Sequence, residues 1–417
     1  MRIAVCLLFG VSFLPSVTVF AQQSAANAAQ PGASAVTVPF VLDHNRIVIE
    51  VDISPSGSPA LRARAWVDNG NPEFWTSQRV ARLMGLNVSC DGQVCTGKLK
   101  PGASTGELSI HGLRFSPVGM SGVRVLQGAM APGMNAEIHI PSTILRDYDV
   151  LVDFPGRKFT IGPRGSLKFN GTKTKAVVDP ATGLIRVPSL IENKKYDLGL
   201  DLGASMSSIS KELFEKLSTA HPEWPKMMGA VGPANVSGSS DELKQRLMRV
   251  DRLRFGTVFL VDVAVTDSPE DRLAAEERPS SPPASGSLVS EALLNYRIGF
   301  DYAHSAVYFE IGRTFNFPDF DVIGITLRPE SDGRFTVAGI ADVHGEQSVP
   351  SGAEGVQVGD FLLAVDDIPT AGSTLGQVWA MLGGEIGQQR RLTLERDGKR
   401  FVLLEKVQHF LGTSASR

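Results

Sequence analysis

The chain has 417 residues, 42% of them hydrophobic and 20% charged, with a formal net charge of -3. At roughly 150 residues per domain this is more than one core holds, so two or three domains are expected. The balance is that of an ordinary globular protein; it excludes a disordered chain and a basic nucleic-acid binder.

Residues 1–21 place Arg2 ahead of the apolar run IAVCLLFGVSFLPSVTVF, with Val19 and Ala21 at the spacing a signal peptidase reads. The segment is expected to be a secretory signal cut after Ala21. The alternative is an uncleaved anchor, since the run is near the short limit for spanning a bilayer. No later segment is comparably apolar, so no membrane span is expected after cleavage, and the chain should be periplasmic or secreted. Residues 22–36 are small, polar and low in complexity, which reads as a flexible leader. Cys6 leaves with the signal, and Cys90 and Cys95 remain, in SCDGQVCTG. The Asp-Gly turn between them is hairpin chemistry and brings them within disulfide reach in an oxidising compartment. Two reduced thiols are the alternative; without a partner pair or nearby His the spacing is poor for zinc.

Further along, RARAWVDNGNPEFWTSQRVARLMGL puts Asp68 after an alternating strand and before a helix, and YDLGLDLGASMSSIS does the same for Asp201. Aligned on the two acids, the segments run on without a gap: Ser77 meets Ser210, each a suitable helix N-cap, Val80 meets Leu213 and Met84 meets Leu217. HGLRFSPV (111–118) then parallels DRLRFGTV (251–258), and ILRDYDVLVDFPGRKFTIG (144–162) parallels LLNYRIGFDYAHSAVYFEIG (293–312). Ordered matches of this kind predict two copies of one β-rich unit, over 37–165 and 175–313, each built from short strands, Gly-bearing turns and one helix. Two low-complexity insertions, GPANVSGSSDE and DSPEDRLAAEERPSSPPASGS, read as solvent loops.

From 320 to 410 the pattern changes to strands, a VGDFLLAVDD hairpin, one helix near 374–382 and a closing LERDGKRFVLLE hairpin. With IGI, SGAEGVQVGD and RDGK in order, this segment resembles a PDZ domain. The resemblance implies a carboxylate-binding loop at Val322, Ile323, Gly324 and Ile325, whose amides hold a peptide C-terminus, with Val378 and Met381 lining the side-chain pocket. The bland reading makes Ile323 and Ile325 core strand residues.

Two carboxylates placed symmetrically between two halves share a proton, one acting as base on water and the other as acid to a carbonyl. At Asp68 and Asp201 the chain resembles the retropepsin-like aspartic proteases, with both lobes fused in one polypeptide as in pepsin. The resemblance implies a mainly β fold: two retropepsin-like β-barrel lobes followed by a PDZ-like β/α domain. It implies Asp68 and Asp201 as the catalytic pair, with Gly70, Gly203 and Ala204 permitting the tight turns. Asp153 and Asp301 fall on the late strand of each lobe and read as structural. Asn69 and Leu202 stand where the family has Thr or Ser, whose hydroxyls brace the two turns. Asn supplies a polar replacement; Leu does not.

Other chemistries lack their signatures. There is no Gly-x-Ser-x-Gly elbow, no His-Glu-x-x-His zinc motif and no phosphate-cradling Gly loop, and the seven His are scattered singly and read as surface or satisfied core residues. The expected activity is water-mediated peptide hydrolysis with no cofactor or metal. Its partners would be a polypeptide substrate and, at the PDZ-like domain, peptide C-termini or extended segments, with no nucleic acid. Two alternatives stand beside it: a peptide-binding protein that has lost the chemistry, and an exported PDZ adaptor on an inert β scaffold.

Overall fold

Alternation of apolar and polar residues turns the first half of the chain into strands with one face on a core. Arg46–Ser54 and Leu61–Asp68 pair antiparallel and bury Ile47, Ile49, Val51, Ile53, Ala65 and Val67. The computed structural model describes residues 34–55, 60–91, 94–99, 107–115, 123–127, 133–268, 285–312, 320–341 and 355–412. Over these the protein is mainly β, with barrel-like sheets. The expected signal, most of the leader, 269–284 of the second insertion and 351–354 of the Gly-rich motif lie outside the described residues. Among the described residues no helix is long and apolar enough to cross a membrane.

Each Asp turn has the same surroundings. Leu61–Asp68 leads through its turn to the strand Trp75–Ser77 and the helix Gln78–Leu83, and Lys194–Asp201 leads to Ser208–Ser210 and the helix Lys211–Ala220. Ser77 and Ser210 cap these helices, their hydroxyls accepting from Val80 N and Leu213 N at 3.2 Å. Val80, Met84, Leu213 and Leu217 are buried, as the shared apolar helix face requires. Beside each Asp-bearing strand a later strand runs parallel: Ile138–Pro141 sets Pro141 opposite Asp68, and Gly286–Val289 sets Val289 opposite Asp201.

The halves join in a six-stranded sheet whose central pair is Tyr148–Asp153 and Tyr296–Asp301, antiparallel. The register is symmetric about Leu151 and Gly299, with Asp149 opposite Asp301 and Asp153 opposite Arg297. A local twofold axis therefore passes between these strands. One apolar cluster runs through both halves, from Ile47 and Val80 to Phe214 and Phe300.

The C-terminal segment has its own core, including Leu327, Val337, Leu362, Val378 and Leu394. Its sheet runs Ile325–Pro329, Phe335–Ile340, Phe361–Val365, Gln389–Arg396, Lys399–Lys406, with Ile325–Pro329 at one edge. Asp366 and Asp367, and Asp397 and Gly398, hold positive φ, as two-residue hairpin turns demand. The helix Leu375–Leu382 starts from a Thr374–Gln377 capping box.

A further cluster forms the seam between this segment and the rest: Phe320, Val322, Ala341 and Phe410 pack against Met206, Met227, Ala230, Val231 and Ala234. GPANVSGSSDE (232–242), expected to be a solvent loop, is part of that seam, with Gly232 to Asn235 and Glu242 buried. Burial is possible because the Glu242 carboxylate accepts from Val236 N at 3.0 Å and from Ser237 N and Gly238 N at 2.8 Å, so these amides do not need water. The Asn235 side chain then donates Nδ2–H to Leu327 O and accepts Leu327 N–H on Oδ1, both at 2.8 Å. The edge of Ile325–Pro329 is thereby occupied by the chain's own loop.

Candidate active site

Ala65, Trp66 and Val67 bury the end of the first Asp strand, so Asp68 emerges where the strand stops. Its Oδ1 accepts Gly70 N–H at 2.8 Å, and Asp201 Oδ1 accepts Gly203 N–H at 2.7 Å and Ala204 N–H at 3.2 Å. Each turn thus orients its own acid. The turns also face each other. A methyl group on Gly70 would overlap the Asp201 carboxyl, 2.5 Å from Oδ2, and one on Gly203 would overlap Asp68, 2.6 Å from its Cβ. Only glycine admits this approach. Both acids line one cavity of about 280 Å³, with Arg46, Trp66, Met206 and Val236 among its walls. Asp68 is 5% exposed, whereas Asp201 is half-buried.

Asn69 and Leu202 divide their labour unequally. Asn69 reaches across the halves, its Nδ2 donating to Leu200 O at 2.6 Å and its Oδ1 accepting Leu202 N–H at 2.7 Å. The Leu202 side chain is buried in the core. One amide side chain therefore holds the second turn by its backbone. Asn69→Ala would leave the buried Leu202 amide without its acceptor, and is expected to lower stability by about 2 kcal/mol in chemical denaturation, with Asn69→Gln losing as much because the longer side chain misses both partners.

Two residues that composition and motif did not single out complete the site. His139, on the strand beside Asp68, is fully buried. Its Nδ1 lies 2.7 Å from Glu73 O and its Nε2 2.8 Å from Asp68 Oδ2, with the Trp66 and Trp75 rings at 4.9 and 5.3 Å. The position that matches it beside Asp201 is Ser287, since His139 pairs with Trp66 and Ser287 with Gly199, each two residues before its acid. Arg46 is the second. It is buried, donates Nε–H to Gly203 O at 3.1 Å and places its guanidinium 5.5 Å from the Trp66 ring. Burial lowers its proton affinity, and the nearby Asp68 and Asp201 carboxylates oppose that. Neither residue lies near its Asp in sequence; a His in EIHIPSTI where the other half has Ser was the visible signal for the first.

The tip carrying Arg46 is a keystone. Asp43, His44, Asn45 and Arg46 are all buried. Asn45 Nδ2 donates to Ser205 O at 3.0 Å, His44 Nε2 lies 3.2 Å from Pro233 O, and Asp43 Oδ1 accepts the Thr374 hydroxyl at 2.9 Å. His44 also stacks on Trp379 at 5.9 Å. One turn thus touches the second acidic loop, the 232–242 segment and the C-terminal helix.

The remaining sequence-derived residues lie elsewhere. Cys90 and Cys95 are opposite each other on the paired strands Leu86–Asp91 and Val94–Leu99 and form a disulfide. Val322, Ile323 and Ile325 are buried; Ile323 N donates to Leu382 O at 3.0 Å, Ile325 N to Ile323 O at 2.8 Å, and Gly324 O accepts Ala341 N–H at 2.9 Å. Val378 is in the C-terminal core, and Met381 packs against it. Asp153 Oδ1 accepts Gly156 N–H at 2.8 Å and Asp301 Oδ1 accepts His304 N–H at 3.1 Å, each closing a local turn. Among the described residues no group of three or more His, Cys, Asp or Glu is placed to hold a metal ion.

The chain is similar to a solved structure, the aspartic proteinase from Irpex lacteus, with 12% sequence identity and a TM-score of 0.39, over 67% of this chain and 98% of that one. No family model matches the chain, and no curated protein does.

Proposed function

We propose that the protein is an exported aspartic-type endopeptidase in which Asp68 and Asp201 activate water against a peptide bond. In this reading a water lies between the two carboxyls. One carboxylate takes its proton as the oxygen attacks the carbonyl carbon, and the other carboxyl protonates the carbonyl oxygen. The proton taken from water then goes to the leaving nitrogen as the C–N bond breaks, and the former carbonyl oxygen returns its proton to the carboxylate that gave it, so the reaction consumes only water. The observation that carries the reading is the mutual approach of the two turns, each glycine lying where only the other turn's carboxyl fits. Residues 37–165 and 175–313 are read as the two lobes. Residues 320–410 are read as a PDZ-like domain for extended or C-terminal peptide segments. The Ile323 and Ile325 amides donate to Leu382 O and Ile323 O and Val378 is in the core, so a peptide could use Val322 to Ile325, Val378 and Met381 only by opening those bonds. The disulfide supports export.

A second reading, a peptide-binding protein without catalysis, draws support from Leu202 and from His139, which occupies an oxygen of Asp68. Peptidase assays on the purified chain from pH 4 to 8 separate the two. Asp68→Asn and Asp201→Asn are each expected to reduce kcat/KM about 10²–10⁴-fold. A wild-type protein that cleaves nothing, yet binds peptides as tightly as both variants do, leaves only the binding reading.

A further inference from the structure

We infer that His139 is a positioning residue that gives Asp68 a proton of its own, leaving Asp201 as the carboxylate that acts as base on water. The inference rests on the peptidase reading for its kinetic half and on geometry alone for the rest.

The geometry begins with a carbonyl. Glu73 O can only accept, so His139 Nδ1, at 2.7 Å, carries a hydrogen. Nε2 and Asp68 Oδ2, at 2.8 Å, then need a second proton between them. Placed on nitrogen it makes an imidazolium beside a carboxylate; placed on oxygen it makes a neutral pair. In both arrangements Asp68 and His139 together carry no net charge.

Two bare carboxylates brought close together in one cavity tend to share one proton because like charges disfavour each other's ionisation. Here Asp201 faces a neutral pair, with the Arg46 guanidinium also in the same cavity. The proton between Asp68 Oδ2 and His139 Nε2 is then held on the side away from Asp201. At the matching position across the twofold axis Ser287 stands in the place of His139, its hydroxyl 3.4 Å from Ser208 Oγ, and a serine hydroxyl does not carry a proton to a carboxylate in the working range. Exposure points the same way, since Asp68 is 5% exposed while Asp201 is the more open acid.

The other charged groups around His139 leave the bond undisturbed. The Glu73 carboxylate is turned to Arg124, at 3.1 Å, and to Trp75 Nε1, at 3.2 Å. The Trp66 and Trp75 rings cover the imidazole, and Arg46 and Asp201 line the cavity it adjoins through Asp68. The imidazole is fully buried, so water does not reach its side of the bond.

His139→Gln tests the role. Gln keeps a polar group on the strand but cannot carry the proton, so the two carboxylates must share one again. The alkaline limb of the kcat/KM profile is expected to move at least one pH unit toward acid, with KM changed less than threefold. An unmoved limb in an active, folded variant overturns the inference. The second readout needs no activity: proton NMR of the wild type at pH 7 should show a low-field hydrogen-bonded proton correlated with a His139 ring nitrogen, lost in both Asp68→Asn and His139→Gln. Its absence from the wild type also overturns the inference. A wild type with that proton and no peptidase activity removes the peptidase reading and leaves the assignment of the proton to the Asp68–His139 pair standing.

Discussion

On the peptidase reading, Gly203→Ala should cut peptide hydrolysis by about 10²-fold or more and destabilise the fold, although the substitution adds a single methyl group. That methyl would overlap the Asp68 carboxyl from the opposite turn, 2.6 Å from its Cβ. Neither partner has room to yield. Asp68 is fixed by Gly70 N–H on one oxygen and His139 on the other, and the Gly203 carbonyl is held by buried Arg46. Overpacking of this kind costs about 1–3 kcal/mol, and a displacement near 1 Å at the reacting groups costs on the order of 10²-fold in rate. Gly70→Ala should behave alike, since its methyl would overlap Asp201. Gly412→Ala, with nothing within 4 Å of the added carbon, serves as the neutral control. Thermal denaturation and peptidase assays on the three variants check this; a Gly203→Ala protein as stable and active as wild type would mean that the two acids are not apposed.

Stability should fall as pH drops from 6.5 to 4.5, more steeply than carboxylates explain, and His44 should be the cause. Burial, followed by the charge of Arg46, pushes its pKa down to about 3, with hydrogen bonds to Pro233 and Gly232 opposing. The unfolded chain therefore takes up this proton near the ordinary value of 6.5, before the folded chain does. The stabilisation is complete above 6.5 and is lost as pH falls, by about 1.4 kcal/mol for each unit between the two values. Other shifts act elsewhere or little. Glu137 and Asp360 are held below the carboxylate range and lose their contribution at lower pH, raised Asp43 acts with opposite sign near that range, and raised His221 is too near the surface to weigh much. Urea titrations at several pH values should show the slope, and His44→Gln should flatten it between 4.5 and 6.5 while lowering stability at pH 7. A slope unchanged by His44→Gln would rule out His44 as its source. Since His44 touches both Pro233 and Trp379, acid should loosen the seam first, which places any activity nearer neutral pH than a bare carboxylate pair would favour.

How much of this was legible in the sequence varies with distance along the chain. Asp68 and Asp201 could be found because an Asp-x-Gly turn, a preceding strand and a capped helix recur together, and each of those signals is local. Ser77 and Ser210 were readable as caps for the same reason, as were the Asp397–Gly398 turn and the helix behind Thr374. Arg46 and His139 were not, because they reach the acids through strand pairing, 22 residues before Asp68 in one case and 71 after it in the other, as their numbers show. The 232–242 segment misled through composition: Gly, Pro and Ser suggest solvent, but Glu242 and Asn235 supply the hydrogen bonds that water would otherwise provide. The loop at Val322 to Ile325 shows the same limit, since a motif does not reveal that its Ile323 and Ile325 amides already have acceptors at Leu382 and Ile323.

Asn235 imitates a peptide group, answering both the amide and the carbonyl of Leu327 as a neighbouring strand would. Its immediate neighbours Ala234 and Val236 line the cavity that holds the acids. An incoming strand must evict Asn235 to reach Leu327, and in doing so must move the residues on either side. A ligand resting on Ala234 or Val236 and a strand displacing Asn235 would then act on one loop, and any coupling between them would be equal in both directions.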